Sequence, residues 1–312
     1  MSKILIFILI LSSVFFHNSF SQSDTSHNYI SAIVTLDSFV VTASKQGFNK
    51  DDFIRFMRED KSFYKAFHNL RFVSHRLESQ IKMYNKKGKE RAGHKALNQQ
   101  FSEGNCRTMK TLKEEITGNY YKKKRKNKYY TGRLMEYLFF TKGRVCESRK
   151  AAIVKPSGGG MAKHIYELKK LVFSPGDKAD VPMIGKKTAV FNKEMMPFYN
   201  YSISAKTYKN KFDCYVFTVE LKEEFKRKKE GKTVIKFLET YFDRKTFQVI
   251  ARKYTLSHST PVYDFDVTMN VQLSKYKGKY IPELIEYDGR WDIPAKSPEI
   301  SKFSLKFFDF GK

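Results

Sequence analysis

Residues 263–273, YDFDVTMNVQL, restrict the fold more than any other stretch of the chain. Tyr263, Phe265, Val267, Met269, Val271 and Leu273 take every second position, and Asp264, Asp266, Thr268, Asn270 and Gln272 take those between. Successive side chains of an extended strand point to opposite faces, so the segment reads as a strand with one apolar and one wetted face. Four more strand candidates surround it: Phe212 to Leu221, Thr233 to Phe242, Phe247 to Leu256 and Lys279 to Tyr287. Short polar connections between such strands imply an antiparallel meander. Its apolar face must be covered, either by the sheet curling on itself or by helices laid across it.

The covering helices are expected nearer the N-terminus. From Ile30 the apolar positions Ile33, Val34, Val40 and Val41 fall near helical spacing, and Asn49 reads as an N-cap with Asp51 and Asp52 in the first turn. Phe53, Phe56 and Met57 follow at i, i+3 and i+4. Ser62 reads as the cap of a further turn in which Phe63, Phe67 and Leu70 share a face. Another helix is expected over 161–173, ended by Ser174-Pro175-Gly176. Strand-like runs are expected at Val73 to Tyr84, closed by the turn Asn85 to Lys89, and at Tyr129 to Phe140. With 28 Phe and 19 Tyr the composition also favours strands. The expected architecture is α+β: a strongly curved, open, half-barrel-like antiparallel sheet of about eight to eleven strands, covered by N-terminal and central helices. Residues 22–71 form the N-terminal helical segment and 72–312 the sheet domain, the two packing as one unit.

Residues 1–21 have the makings of a secretory leader. Lys3 supplies the positive start, Ile4 to Phe16 the apolar stretch, and Ser19 and Ser21 the small residues before a cleavage point. The apolar stretch is short of the roughly 20 residues a spanning helix needs, so an integral membrane protein is not expected. Gln22 stands where a bacterial lipoprotein would carry its anchored Cys. The expected location is the periplasm or the outer-membrane periphery. In such an oxidising compartment three cysteines suggest one pair and one leftover. Cys106 and Cys146, in polar contexts on either side of a basic run, are the expected pair; Cys214 lies in an apolar strand and reads as a small hydrophobe.

The 312 residues carry 59 Lys+Arg against 32 Asp+Glu, a formal net charge of +27. That balance points to a polyanionic partner, and export makes the partner an anionic envelope surface rather than nucleic acid. The charge is concentrated in two runs. YYKKKRKNKYY contributes Lys122, Lys123, Lys124, Arg125, Lys126 and Lys128; KEEFKRKKEGK contributes Lys226, Arg227, Lys228 and Lys229. Both are read as tips of hairpins, with Tyr120, Tyr121, Tyr129 and Tyr130 pairing across the first.

Catalytic patterns are missing. The histidines fall in no metal-ligand spacing, and no Walker loop, nucleophile elbow or dinucleotide fingerprint occurs. Asp264 and Asp266 share a strand face about 7 Å apart, but a solvated outer face accounts for them. Neither a cofactor nor a metal is expected, and the chain is read as non-catalytic.

The segments TYFDRKTFQVIARKY (Thr240 to Tyr254), YDFDVTMNVQL and GKYIPELIEY (Gly278 to Tyr287) together resemble the periplasmic lipoprotein-carrier and lipoprotein-sorting (LolA/LolB-like) superfamily. The whole chain also resembles exported Bacteroidota proteins. Asp243, Thr246, Gly278 and Pro282 match as turn and strand-edge residues. The resemblance implies a curved sheet around an apolar cavity that shields a lipid or acyl chain, which would make Phe265, Val267, Met269 and Val271, on the apolar face, candidate cavity residues; a plain packed core accounts for the same four. An envelope interaction protein, its basic loops docking on glycan, lipid headgroups or a partner protein, is the alternative.

Overall fold

The computed structural model describes residues 54, 57–148, 171–178, 184–226, 231–259, 264–292 and 297–312. The expected leader, residues 22–53 and most of the expected 161–173 helix lie outside them. One sheet of eleven strands dominates: β1 (His75–Tyr84), β2 (Glu90–Glu103), β3 (Cys106–Gly118), β4 (Val145–Cys146), β5 (Tyr199–Tyr208), β6 (Phe212–Leu221), β7 (Ile235–Asp243), β8 (Val249–Ser259), β9 (Asp264–Tyr276), β10 (Lys279–Asp292) and β11 (Glu299–Phe308). Their order is β4-β3-β2-β1-β11-β10-β9-β8-β7-β6-β5, with antiparallel neighbours throughout. The sheet is curved and open, and the fold is α+β. Two meanders, β1–β4 and β5–β11, are sewn together where β1 pairs with β11.

The pleat explains the core. Along β9, Phe265, Val267, Met269, Val271 and Leu273 are buried while Asp266 is exposed. β1 buries Leu77, Ile81 and Met83 in the same rhythm, and β11 buries Phe303, Leu305 and Phe307. The turns carry the residues their geometry requires: Asp243 accepts from the backbone N–H of Lys245 and Thr246 at 2.8 and 2.9 Å, and Gly278 has φ +79° in the turn from β9 to β10. Cys214 is a buried free thiol whose Sγ donates to the Phe212 carbonyl.

Two helices lie at the site. In α1 (Ser62–Leu70) Phe63, Ala66, Phe67 and Leu70 are buried at i, i+3, i+4 and i+7, one stripe of the helix. Ser62 does not cap it. The Asp60 carboxylate accepts from the Ser62 N–H at 3.1 Å, and the Ser62 hydroxyl accepts from Val249 N–H in β8. The Asn69 amide donates to the Tyr280 carbonyl in β10 at 3.0 Å, and the Arg252 guanidinium stacks over Phe63 at 4.4 Å, so α1 is fixed across β8 and β10.

α2 (Tyr130–Phe139) corrects the strand expected over Tyr129 to Phe140. Its buried Leu134, Met135 and Leu138 form a helical face. The deciding contact comes from elsewhere in the chain: the Glu299 carboxylate of β11 accepts from the N–H of Tyr130 and Thr131 at 2.8 and 2.9 Å and from the Thr131 hydroxyl. It thereby satisfies free donors of the first turn and lies at the positive end of the helix. Gly132 lets the Asn127 side chain approach where a Cβ would stand 2.5 Å from it.

Candidate functional site

The four residues proposed from the apolar stripe of β9 are enclosed by protein. Phe265 stacks on Trp291 with ring centroids 4.9 Å apart, and the Tyr254 hydroxyl lies 3.1 Å from Met269 Sδ. None of Phe265, Val267, Met269 and Val271 lines the cavities found at the other end of the sheet, beneath α2.

The larger cavity there, about 280 Å³, is bounded by α1, the inner face of β1–β3, α2 and the segment leaving it. One wall is apolar. Phe67, Phe139 and Phe173 meet there with centroids 4.3 to 6.5 Å apart, joined by Leu70, Leu138 and Phe140. Phe173 is the last of the helical residues 171–173, and a bend and turn follow at Ser174 to Gly176.

Charge gathers on the opposite wall. The Glu147 carboxylate accepts from Arg71 Nη1 at 2.8 Å and from Arg107 Nη2 at 2.9 Å. Arg107 Nε donates to the Thr141 hydroxyl at 3.1 Å, and Gln100 Nε2 donates to the carbonyls of Leu70 and Val73. The remaining guanidinium nitrogen, Arg107 Nη1, is buried without a hydrogen-bond partner in the protein. Two guanidiniums against one carboxylate leave this wall net positive; the neighbouring Glu136 and Lys142 pair with each other at 2.8 Å. His75, also in the lining, donates from Nδ1 to the Val73 carbonyl, and burial pushes its pKa down to about 4.

A disulfide holds the arrangement. Cys106 and Cys146 are bonded, Arg107 follows the first and Glu147 the second, and β4 pairs with β3 in the register Cys106↔Cys146 and Arg107↔Val145. Sequence patterns did not single out Arg71, Gln100, Arg107, Thr141 or Glu147. Adjacency to the two cysteines was the one signal that could have brought Arg107 and Glu147 together.

Burial pushes the Glu147 carboxyl up, but the two guanidiniums outweigh it and hold the pKa at about 2. A carboxyl depressed on folding stabilises the folded state above its usual 4.5, and that contribution is lost as pH falls toward 2. Glu147→Gln is therefore expected to be less stable than the wild type at pH 7, with the difference closing between pH 4.5 and 2. Denaturant melts of both proteins across that range check it; a gap independent of pH would count against the ion triad.

The basic run is not a hairpin tip between two strands. β3 ends at Gly118, a single bridge joins Tyr121 to Asn127, one 3-10 turn covers Lys123–Arg125, and α2 follows. Lys122, Lys123, Lys124, Arg125, Lys126 and Lys128 are exposed. Arg125 is nonetheless paired with Glu114 and stacked over Tyr121 at 5.0 Å. In the second run Lys226 pairs with Glu220 and Glu223; Arg227, Lys228 and Lys229 lie outside the described residues. Among the described residues no group of three or more His, Cys, Asp or Glu side chains is arranged to hold a metal ion, and no helix is long and apolar enough to cross a membrane.

Among solved structures the chain is similar to a domain described as an outer membrane lipoprotein-sorting protein from Vibrio parahaemolyticus, at 8% identity, covering 80% of this chain and 91% of that one, with a TM-score of 0.27. It is also similar to a DUF1329 family protein from Desulfovibrio piger, at 9% identity, covering 82% and 92%, with a TM-score of 0.24. No family model and no curated protein matches the chain.

Proposed function

We propose that this is an exported, non-catalytic binding protein that takes an amphiphile with an anionic head, of fatty-acid type, in the cavity beneath α2. The observation that carries the reading is Arg107 Nη1, a buried cationic donor without a protein acceptor, on a residue that lines the same cavity as the aromatic wall. Burying such a group unpaired is costly, and a carboxylate or phosphate oxygen would satisfy it. The apolar side chains would take the start of the chain. A volume of about 280 Å³ is at the small end for ligand pockets, so the remaining methylenes would run out past the exposed Tyr137. The exposed lysines from Lys122 to Lys128 support apposition to an anionic envelope surface.

The test compares a fluorescent long-chain fatty acid with the alcohol of the same chain. The wild type is expected to prefer the acid, and Arg107→Met to weaken the acid by about tenfold to a hundredfold while leaving the alcohol nearly unchanged, the range for a hydrogen bond to a charged group. Equal affinity for acid and alcohol removes the head-group assignment. If neither binds, and native mass spectrometry of the purified protein finds no lipid, the binding function itself is removed.

A further inference from the structure

A second cavity of about 240 Å³ lies between β2, β3 and the segment from Tyr120 to Lys142, and the amphiphile reading makes no use of its polar wall. An irregularity in β3 creates that wall. Leu97 pairs with Lys113 but Asn98 pairs with Thr111, so Leu112 is an extra residue. Before this bulge Arg107, Met109 and Thr111 face the sheet interior; an unbroken strand would continue with Lys113 and Glu115. A one-residue bulge reverses the alternation and brings Glu114 inward instead.

Glu114 gathers several partners. His94 Nε2 bonds its Oε1 at 2.8 Å, the Tyr121 hydroxyl donates to the same oxygen at 3.3 Å, and Arg125 pairs with Oε2. In the neutral imidazole the proton is therefore on Nε2, which leaves Nδ1 as a bare acceptor. That atom is buried and has no partner. Four residues further along β2, Asn98 Oδ1 accepts from the Thr111 hydroxyl at 2.8 Å, while its Nδ2 is buried without a partner. The two residues are only 8% and 1% exposed. Both residues line the cavity, so its lining holds one residue with an unused acceptor and one with an unused donor, on the same strand face.

We propose that this cavity binds a neutral, hydroxylated ligand the size of a single sugar ring. A hydroxyl both donates and accepts, so hydroxyls can give a proton to His94 Nδ1 and take one from Asn98 Nδ2. The two Cα atoms are about 13 Å apart at the strand rise, too far for one hydroxyl to serve both side chains, so the ligand must present a separate hydroxyl to each. Tyr120 and Tyr121 supply aromatic surface beside them; Tyr120 stacks on the His94 ring at 5.1 Å. The ionised residues of the lining balance, Glu114 against Arg125 and Glu136 against Lys142, so an anion gains no advantage here. The volume of about 240 Å³ is on the scale of one pyranose ring.

The experiment is a ¹H–¹⁵N NMR titration of the intact protein with glucose, N-acetylglucosamine and, separately, inorganic phosphate. At least one sugar is expected to shift both the Asn98 side-chain amide and the His94 Nδ1 resonance at millimolar concentration. Asn98→Leu should weaken that sugar by about tenfold, the loss of one buried hydrogen bond, while fatty-acid binding in the larger cavity is unchanged. Silence of both resonances toward both sugars overturns the proposal, as does a response to phosphate alone. Because both resonances belong to the wild type, the titration decides even if Asn98→Leu folds poorly.

Discussion

Replacing Cys106 and Cys146 together by Ser is expected to lower stability by about 4 kcal/mol, the chain-entropy value for a loop of this length. The bond closes 40 residues, a span that includes the basic run and α2. At 2–4 °C per kcal/mol for a chain of this size the midpoint should fall by roughly 8–16 °C. The effect should extend to the cavity. β4 is two residues long and pairs only with β3, and beyond it Glu147 N–H donates to the Asn105 carbonyl. Without the bond, little backbone pairing holds Glu147 between Arg71 and Arg107, so fatty-acid affinity should fall along with stability. Thermal melts of the double variant, and of the wild type with and without reductant, check the first part; probe titration well below the midpoint checks the second. A midpoint shift under about 2 °C would mean that other contacts already confine the loop.

Why some elements could be read from the chain and others could not follows from where the deciding contact lies. In β9 the decision is local, since each inward position is apolar and each outward one polar, and the strand appears with both faces as expected. β2 has no such contrast. Its inner face is Ala92, His94, Ala96, Asn98 and Gln100, small and polar residues of which His94, Asn98 and Gln100 line the cavities, and a search for apolar alternation passes over them. β3 adds a second obstacle, because the bulge at Leu112 reverses its alternation part-way. Tyr129 to Phe140 has the aromatic content of a strand and the apolar spacing of a helix. Glu299 decides between them from 169 positions away in sequence, through a contact that exists only once β11 is in the sheet. The candidate site was therefore the least legible part. It is built from side chains whose meaning depends on three long-range events: the disulfide, the bulge and the Glu299 cap.

Met269→Ala tests where in the sheet a ligand can sit. Met269 is 1% exposed, lies on the apolar face of β9, and receives the Tyr254 hydroxyl, which also donates to the Val172 carbonyl at 2.7 Å. Truncation is expected to cost roughly 3 kcal/mol, within the range for Met→Ala in a packed core. Fatty-acid affinity should be unchanged, since Met269 is no part of the wall beneath α2. Phe139→Ala should do the reverse. That ring is half-buried and lines the cavity, so its loss removes contact with the chain of the amphiphile at a smaller cost in folding. Denaturant melts paired with probe titrations of the two variants separate the effects. A Met269→Ala protein of unaltered stability but altered affinity would move the ligand to the apolar face of β9, where the resemblance to lipoprotein-sorting proteins would put it; the opposite pattern assigns that face to the core and binding to the disulfide-held end of the sheet.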